Sequence, residues 1–236
     1  MNTRLPRWVW VGAITLAGIA GMVNAVGFLG FEHLAVSHVT GTTTQLGTAL
    51  ADGNWRGVRH LWAVLIAFSL GAMLSGLIIQ DSTLRLGRRY GVALALEAAL
   101  LLAAIPLFLR QQLNGALLAA MACGLQNAMV TTYSGAVVRT THLSGMFTDL
   151  GIGLGHLLRG LTLSGLIISG FLCGGILGTW GFRAFGYHAL AIPAALTGAT
   201  GIGYVIYRNH ALRLLRQPGS TPDDSGAPER EHRREG

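Results

Sequence analysis

With 51% hydrophobic and only 11% charged residues over 236 positions, this chain is far from a soluble domain, in which about a quarter of residues carry charge. The mean hydropathy of +0.51 points to a membrane protein and excludes a disordered or ordinary globular chain. All of its basic charge is arginine, so the formal net charge of +7 reads as membrane orientation rather than as a basic face for nucleic acid.

Taken in chain order, apolar runs approaching the ~20 residues that cross a bilayer predict an all-α membrane protein. Six transmembrane helices are expected, at Trp8 to Phe31, Leu61 to Ile79, Tyr90 to Leu109, Ala116 to Val130, Leu161 to Phe182 and Tyr187 to Tyr207. The first run is too long for a secretory signal, so no cleavage is expected at Val23-Asn24-Ala25. The fourth is the weakest and reaches full length only if Asn114, Gln126 and Asn127 are drawn in. Cys123 and Cys173 fall inside spans and read as small packing residues rather than a disulfide.

The arginines test this count, because cytoplasmic loops are enriched in them. With the amino terminus inside, six crossings put Arg4, Arg7, Arg85, Arg88, Arg89, Arg139, Arg159 and the six arginines from Arg208 to Arg234 on the cytoplasmic side. Only Arg56, Arg59, Arg110 and Arg183 fall outside. Residues 1–207 therefore read as a single transmembrane domain, and residues 208–236 as a basic stretch followed by a disordered cytoplasmic tail rich in Pro, Gly and Ser.

Two polar phrases interrupt the apolar pattern, SHVTGTTTQLG from Ser37 and THLSGMFTDLG from Thr141. At an offset of 104 they share His38/His142, Gly41/Gly145, Thr44/Thr148, Leu46/Leu150 and Gly47/Gly151. Collinear matches at an offset of 103 link GMVNAV from Gly21 to GLQNAM from Gly124, and Phe68, Gly71 and Leu74 to Phe171, Gly174 and Leu177. The chain thus reads as a duplicated unit, about 8–109 and about 111–207. Three spans per unit make the copies inverted in the membrane, an architecture common in secondary transporters.

After each Thr40-Gly41 or Ser144-Gly145 pair, about three helical turns are available, ~15 Å or half a bilayer. Each phrase is therefore expected to be a re-entrant or broken half-helix, with Thr40 and Ser144 at the N-cap. Non-helical backbone at membrane depth must be buried or line a wet cavity. The expected solute-binding residues are His38, Thr40, Gly41, Thr44, Gln45, His142, Ser144, Gly145, Thr148 and Asp149, joined by the matched Asn24 and Asn127. Gly47 and Gly151 are expected to be packing glycines. Asp149, where the first copy has Gln45, and Glu97, in the middle of a span and in need of a partner, are the proton-coupling candidates.

The stretches NAVGFLGFEHLAVSHVTGTTTQLGTALADGNW and GLQNAMVTTYSGAVVRTTHLSGMFTDLGIGLG resemble the YoaK-like family of bacterial inner-membrane proteins, catalogued as domain of unknown function 1275. The resemblance covers nearly the whole chain apart from the tail. It implies a six-span protein of the bacterial cytoplasmic membrane without an established activity. Family members look to carry Asp at the position of Asn24 and Asn at that of Thr42.

The reading is a small-solute transporter or permease, proton-coupled, with a central site between two half-helices, both termini cytoplasmic, and the lipid bilayer and one small solute as partners. No cofactor is expected. Two other readings stand beside it: an intramembrane metal-dependent enzyme using His38, His142 and Asp149, and a scaffold or sensor without flux.

Overall fold

The computed structural model describes residues 7–30, 35–80, 88–134, 140–155 and 161–215, and these are helical apart from short turns. In chain order the helices are α1 (Arg7–Gly30), α2 (Val39–Ala51), α3 (Trp55–Ile79), α4 (Arg88–Leu109), α5 (Leu113–Ser134), α6 (Leu143–Gly155), α7 (Leu161–Phe185) and α8 (Ala191–Leu215). A 3-10 turn, Gly186–Leu190, joins α7 to α8. Arg4, Arg85, Arg139, Arg159 and residues 216–236 lie outside the described residues.

Five helical runs are long and apolar enough to cross a membrane: Trp10–Gly30, Trp55–Ile79, Arg89–Leu109, Leu113–Ser134 and the 40-residue Ser164–Gly203. The chain is a multi-pass helical membrane protein. The fifth run takes in both of the last two expected spans and is bent at the 3-10 turn, where Gly186 adopts φ +58°.

Side-chain placement explains the runs. On α3, Trp62, Ile66, Leu70, Met73 and Leu77 recur at helical spacing, and all are exposed, a stripe suited to lipid. α5 is the opposite case, with Ala116, Ala119, Ala120, Ala122, Cys123 and Leu125 all buried. Its modest hydropathy in sequence thus has a cause: a helix surrounded by protein has no need of bulky lipid-facing residues.

Glycine decides which helices meet. α1 lies along α7, and α3 along α5, in the two most extensive helix contacts. A Cβ at Gly21 would collide with the Phe171 carbonyl, and one at Gly174 with that of Gly18. In the second pair a Cβ at Gly124 would collide with the Phe68 carbonyl, and one at Gly71 with that of Met121. Backbones this close gain van der Waals contact that lipid cannot supply. α4 packs on both α5 and α8, while the short α2 and α6 lie against α3 and α7.

One end of the bundle is fastened by Tyr187 of the 3-10 turn. Its ring stacks on Phe108 of α4 at 4.9 Å and meets Phe182 of α7 edge-on at 5.3 Å. Its hydroxyl donates to the Gly30 carbonyl at the end of α1 and accepts from Gln111 Nε2 at 3.0 Å. The C-terminal ends of α1, α4 and α7 therefore gather at the same level.

Candidate functional site

α2 and α6 are 13 residues each, ~20 Å at the rise of an α-helix. Both begin earlier than the sequence suggested. The N-cap of α2 is His38, not Thr40, and Thr42 N donates to the His38 carbonyl at 3.0 Å. α6 begins at Leu143, and Met146 N donates to the His142 carbonyl at 3.3 Å, an equivalent bond. Thr40 and Ser144 thus fall in the first helical turn.

At the start of α2 the His38 side chain makes no capping bond. The glycine three residues on has another purpose: a Cβ at Gly41 would strike His38 Cδ2, and one at Gly145 would lie 2.7 Å from His142 Nδ1. Each imidazole therefore lies over the first turn of its helix. The sequence signal for this arrangement is His-x-x-Gly, present in both phrases.

A cavity of about 430 Å³ opens where the two helix starts face one another. Ser37, His38, Val39 and Thr40 line it from the first phrase, and Thr141, His142, Leu143 and Ser144 from the second. Asn127 and Thr131 of α5 and Phe68 of α3 complete the wall. Phe68 is 13 residues into the 25-residue α3, so the cavity lies ~20 Å from the start of that helix, near its middle. Of the expected site residues, His38, Thr40, His142, Ser144 and Asn127 come together here.

The others lie elsewhere. α2 buries Thr42, Leu46 and Ala49, one face of a helix, which turns Thr44 and Gln45 outward. Thr44 Oγ1 donates to the Thr40 carbonyl at 3.1 Å, and Thr148 Oγ1 to that of Ser144 at 2.9 Å. Both threonines, Gln45 and Asp149 are exposed and outside the cavity lining. Gly41 and Gly145 lie beneath the imidazoles. Gly47 and Gly151 are not the packing glycines expected: among the described residues no atom of another element lies within 4 Å of where their Cβ would be. They sit on the exposed faces of α2 and α6.

The matched asparagines also part. Asn24 Oδ1 accepts from Ser37 N at 3.2 Å and Ser37 Oγ at 3.0 Å, tying the first phrase to α1. Asn127 Oδ1 is buried at the cavity with no hydrogen-bond partner.

Glu97, 2% exposed, has no arginine partner among the described residues; the Gln126 amide donates to its Oε1 at 2.9 Å. Gln126 Oε1 in turn accepts from Thr140 Oγ1 at 3.0 Å. Sequence reasoning missed Gln126 and Thr140 because the matching residues of the first copy are the apolar Val23 and Val36. Cys123 is buried and Cys173 exposed, and both are free thiols. Among the described residues no three His, Cys, Asp or Glu side chains are grouped to hold a metal, so the trio of His38, His142 and Asp149 is not assembled.

The family described as Protein of unknown function (DUF1275) matches residues 12–203, which include every helix that lines or supports the cavity. The chain belongs to DUF1275. No curated protein and no solved structure matches it. The cavity, its two imidazoles and the Glu97 network therefore stand as features of a DUF1275 protein described from its own geometry.

Proposed function

We propose that this DUF1275 protein is a small-solute transporter of the bacterial cytoplasmic membrane, with six crossings, both termini cytoplasmic, and the 430 Å³ cavity as its solute site. The observation that carries this reading is that two polar helix starts and both imidazoles share one cavity at the middle of α3. Helices that break at mid-membrane and aim their starts at a common hollow are the recurrent transporter solution.

An inverted repeat supports the same reading. The glycine contacts exchange between copies: Gly21 meets Phe171, and its counterpart Gly124 meets Phe68, the counterpart of Phe171. Gly174 meets Gly18, and Gly71 meets Met121, which follow the same exchange at an offset of 103. Each copy lends its second long helix to the first long helix of the other.

The solute is a small anion such as a short carboxylate. Positive dipole ends of α2 and α6 face the cavity, imidazoles can donate, and the lining carries hydroxyls and an amide rather than carboxylates. Among the described residues the metal-enzyme reading has no assembled ligand set.

Proteoliposomes loaded with a pH-sensitive dye and challenged with formate, acetate, chloride and nitrate test this. At least one anion should enter faster than into protein-free vesicles. His38→Ala or His142→Ala should each weaken its affinity by about 1.5–3 kcal/mol, on the order of tenfold to a hundredfold. Entry unaffected by either substitution would remove the cavity as the site.

A further inference from the structure

A second polar feature lies beside the cavity without lining it. Glu97 Oε1 accepts from Gln126, but its Oε2 is buried and has no hydrogen-bond partner. Thr197 of α8, fully buried, interacts with the same carboxyl outside good hydrogen-bond geometry, and its Oγ1 has no partner either. One proton on Oε2, donated to Thr197 Oγ1, would satisfy both atoms at once.

We infer that Glu97 is a proton-binding site whose occupancy is communicated to the cavity through Gln126 and Thr140. The proposal rests on the solute-site reading above and names the group that couples that site to protons: Glu97 rather than the exposed Asp149.

The communication follows from chain geometry. Gln126 precedes Asn127, and Thr140 precedes Thr141 and His142, all three of which line the cavity. A change at Glu97 thus reaches the cavity through one amide and one hydroxyl. Release breaks the Oε2–H bond; the proton passes to water and the carboxylate keeps the electron pair. Uptake is the reverse.

The groups facing Glu97 do little for a bare charge. α5 presents Gln126 and the Cys123 thiol, and α8 presents Thr197. No charged side chain from α3, α5, α8 or the 3-10 turn is its partner among the described residues. A carboxylate held by one amide and one hydroxyl away from water is costly, so release requires the α4–α5–α8 contact to admit water. That movement pulls on Gln126 and hence on the start of α6.

The test uses protein in lipid nanodiscs carrying Cys123→Ala and Cys173→Ala. Labelling of Ser144→Cys by a hydrophilic maleimide is normalised to Gln112→Cys, an exposed turn position. Between acidic and alkaline pH the normalised rate should change by about fivefold or more, the lower end of usual coupling between sites. An infrared band from a protonated carboxyl should titrate over the same range. Glu97→Gln should remove the band and hold labelling at its acidic value. Gln126→Leu, or Thr140→Val where the former fails to fold, should keep the band and flatten the labelling. A pH response unchanged in Glu97→Gln, or no carboxyl band at acidic pH, overturns the proposal and leaves the solute site standing. Ser144→Cys and Thr40→Cys both inert while Gln112→Cys reacts overturns the solute site, and this proposal with it.

Discussion

At Gly41 and Gly145 one missing carbon decides where an imidazole rests. With alanine at either position the ring must leave the first helical turn, because the new methyl would occupy its place. Gly41→Ala should therefore displace the His38 ring, already exposed, from the first turn, seen by mass spectrometry as a changed rate of modification with diethyl pyrocarbonate, with the rest of the protein unchanged. Glycines at helix crossings behave differently, since the colliding atoms are backbone and cannot rotate away. Gly71→Ala and Gly124→Ala should each lower stability by about 1–3 kcal/mol. Gly47→Ala and Gly151→Ala, facing open space inside helices, should raise it by roughly 0.5–1 kcal/mol. Thermal unfolding in detergent separates the two classes, and a loss at Gly47 comparable with that at Gly71 would contradict the packing described. Glycine roles were only partly legible in the sequence. The letters are the same whether a glycine admits a neighbouring backbone, as at Gly124, or nothing, as at Gly151.

At the scale of the element, the hydroxyl-rich phrase serves two purposes that its sequence does not distinguish. The start of each short helix, His38 with Thr40 and His142 with Ser144, lines the cavity. The remainder of α2 bonds to itself: Thr42, Thr43, Thr44 and Thr48 donate to the carbonyls of His38, Val39, Thr40 and Thr44. Such back-bonding leaves no hydroxyl unsatisfied, which lets a threonine face hydrocarbon without loss of hydrogen bonding. Thr44→Val and Thr148→Val should accordingly change anion entry by less than about twofold, within the ±0.5 kcal/mol typical of peripheral substitutions. A tenfold loss in either would return these hydroxyls to the site. The existence and polarity of the two short helices could be read from composition and repeat spacing, but not their length, since both start before the residues expected to cap them. Side-chain direction could not, because it depends on α3 covering Thr42, Leu46 and Ala49 and thereby turning Thr44 outward.

For the whole molecule, the open matter is how the 40-residue run Ser164–Gly203 meets the bilayer. As one straight crossing it would measure ~60 Å, twice the hydrocarbon thickness. The bend at Gly186–Leu190 and the separate partners of its two halves, α1 for α7 and α4 for α8, favour two crossings. Tyr187 adds a directional argument: it holds the C-terminal ends of α1, α4 and α7 together, so those helices run parallel and the chain must return between them. If α1 leaves the cytoplasm, the Tyr187 end is external and α8 comes back in. A green fluorescent protein fused after Gly236 should then fluoresce and an alkaline phosphatase fusion there should be inactive. His188→Cys, exposed on the 3-10 turn, should react with an impermeant maleimide in intact cells. An active C-terminal phosphatase would mean an odd number of crossings and would undo the inverted repeat. The arginine distribution leads to the same expected orientation, whereas the pairing of α1 with α7 and of α3 with α5 could not be read from sequence. It depends on which carbonyl each of Gly21, Gly71, Gly124 and Gly174 admits, and that is a property of the assembled bundle alone.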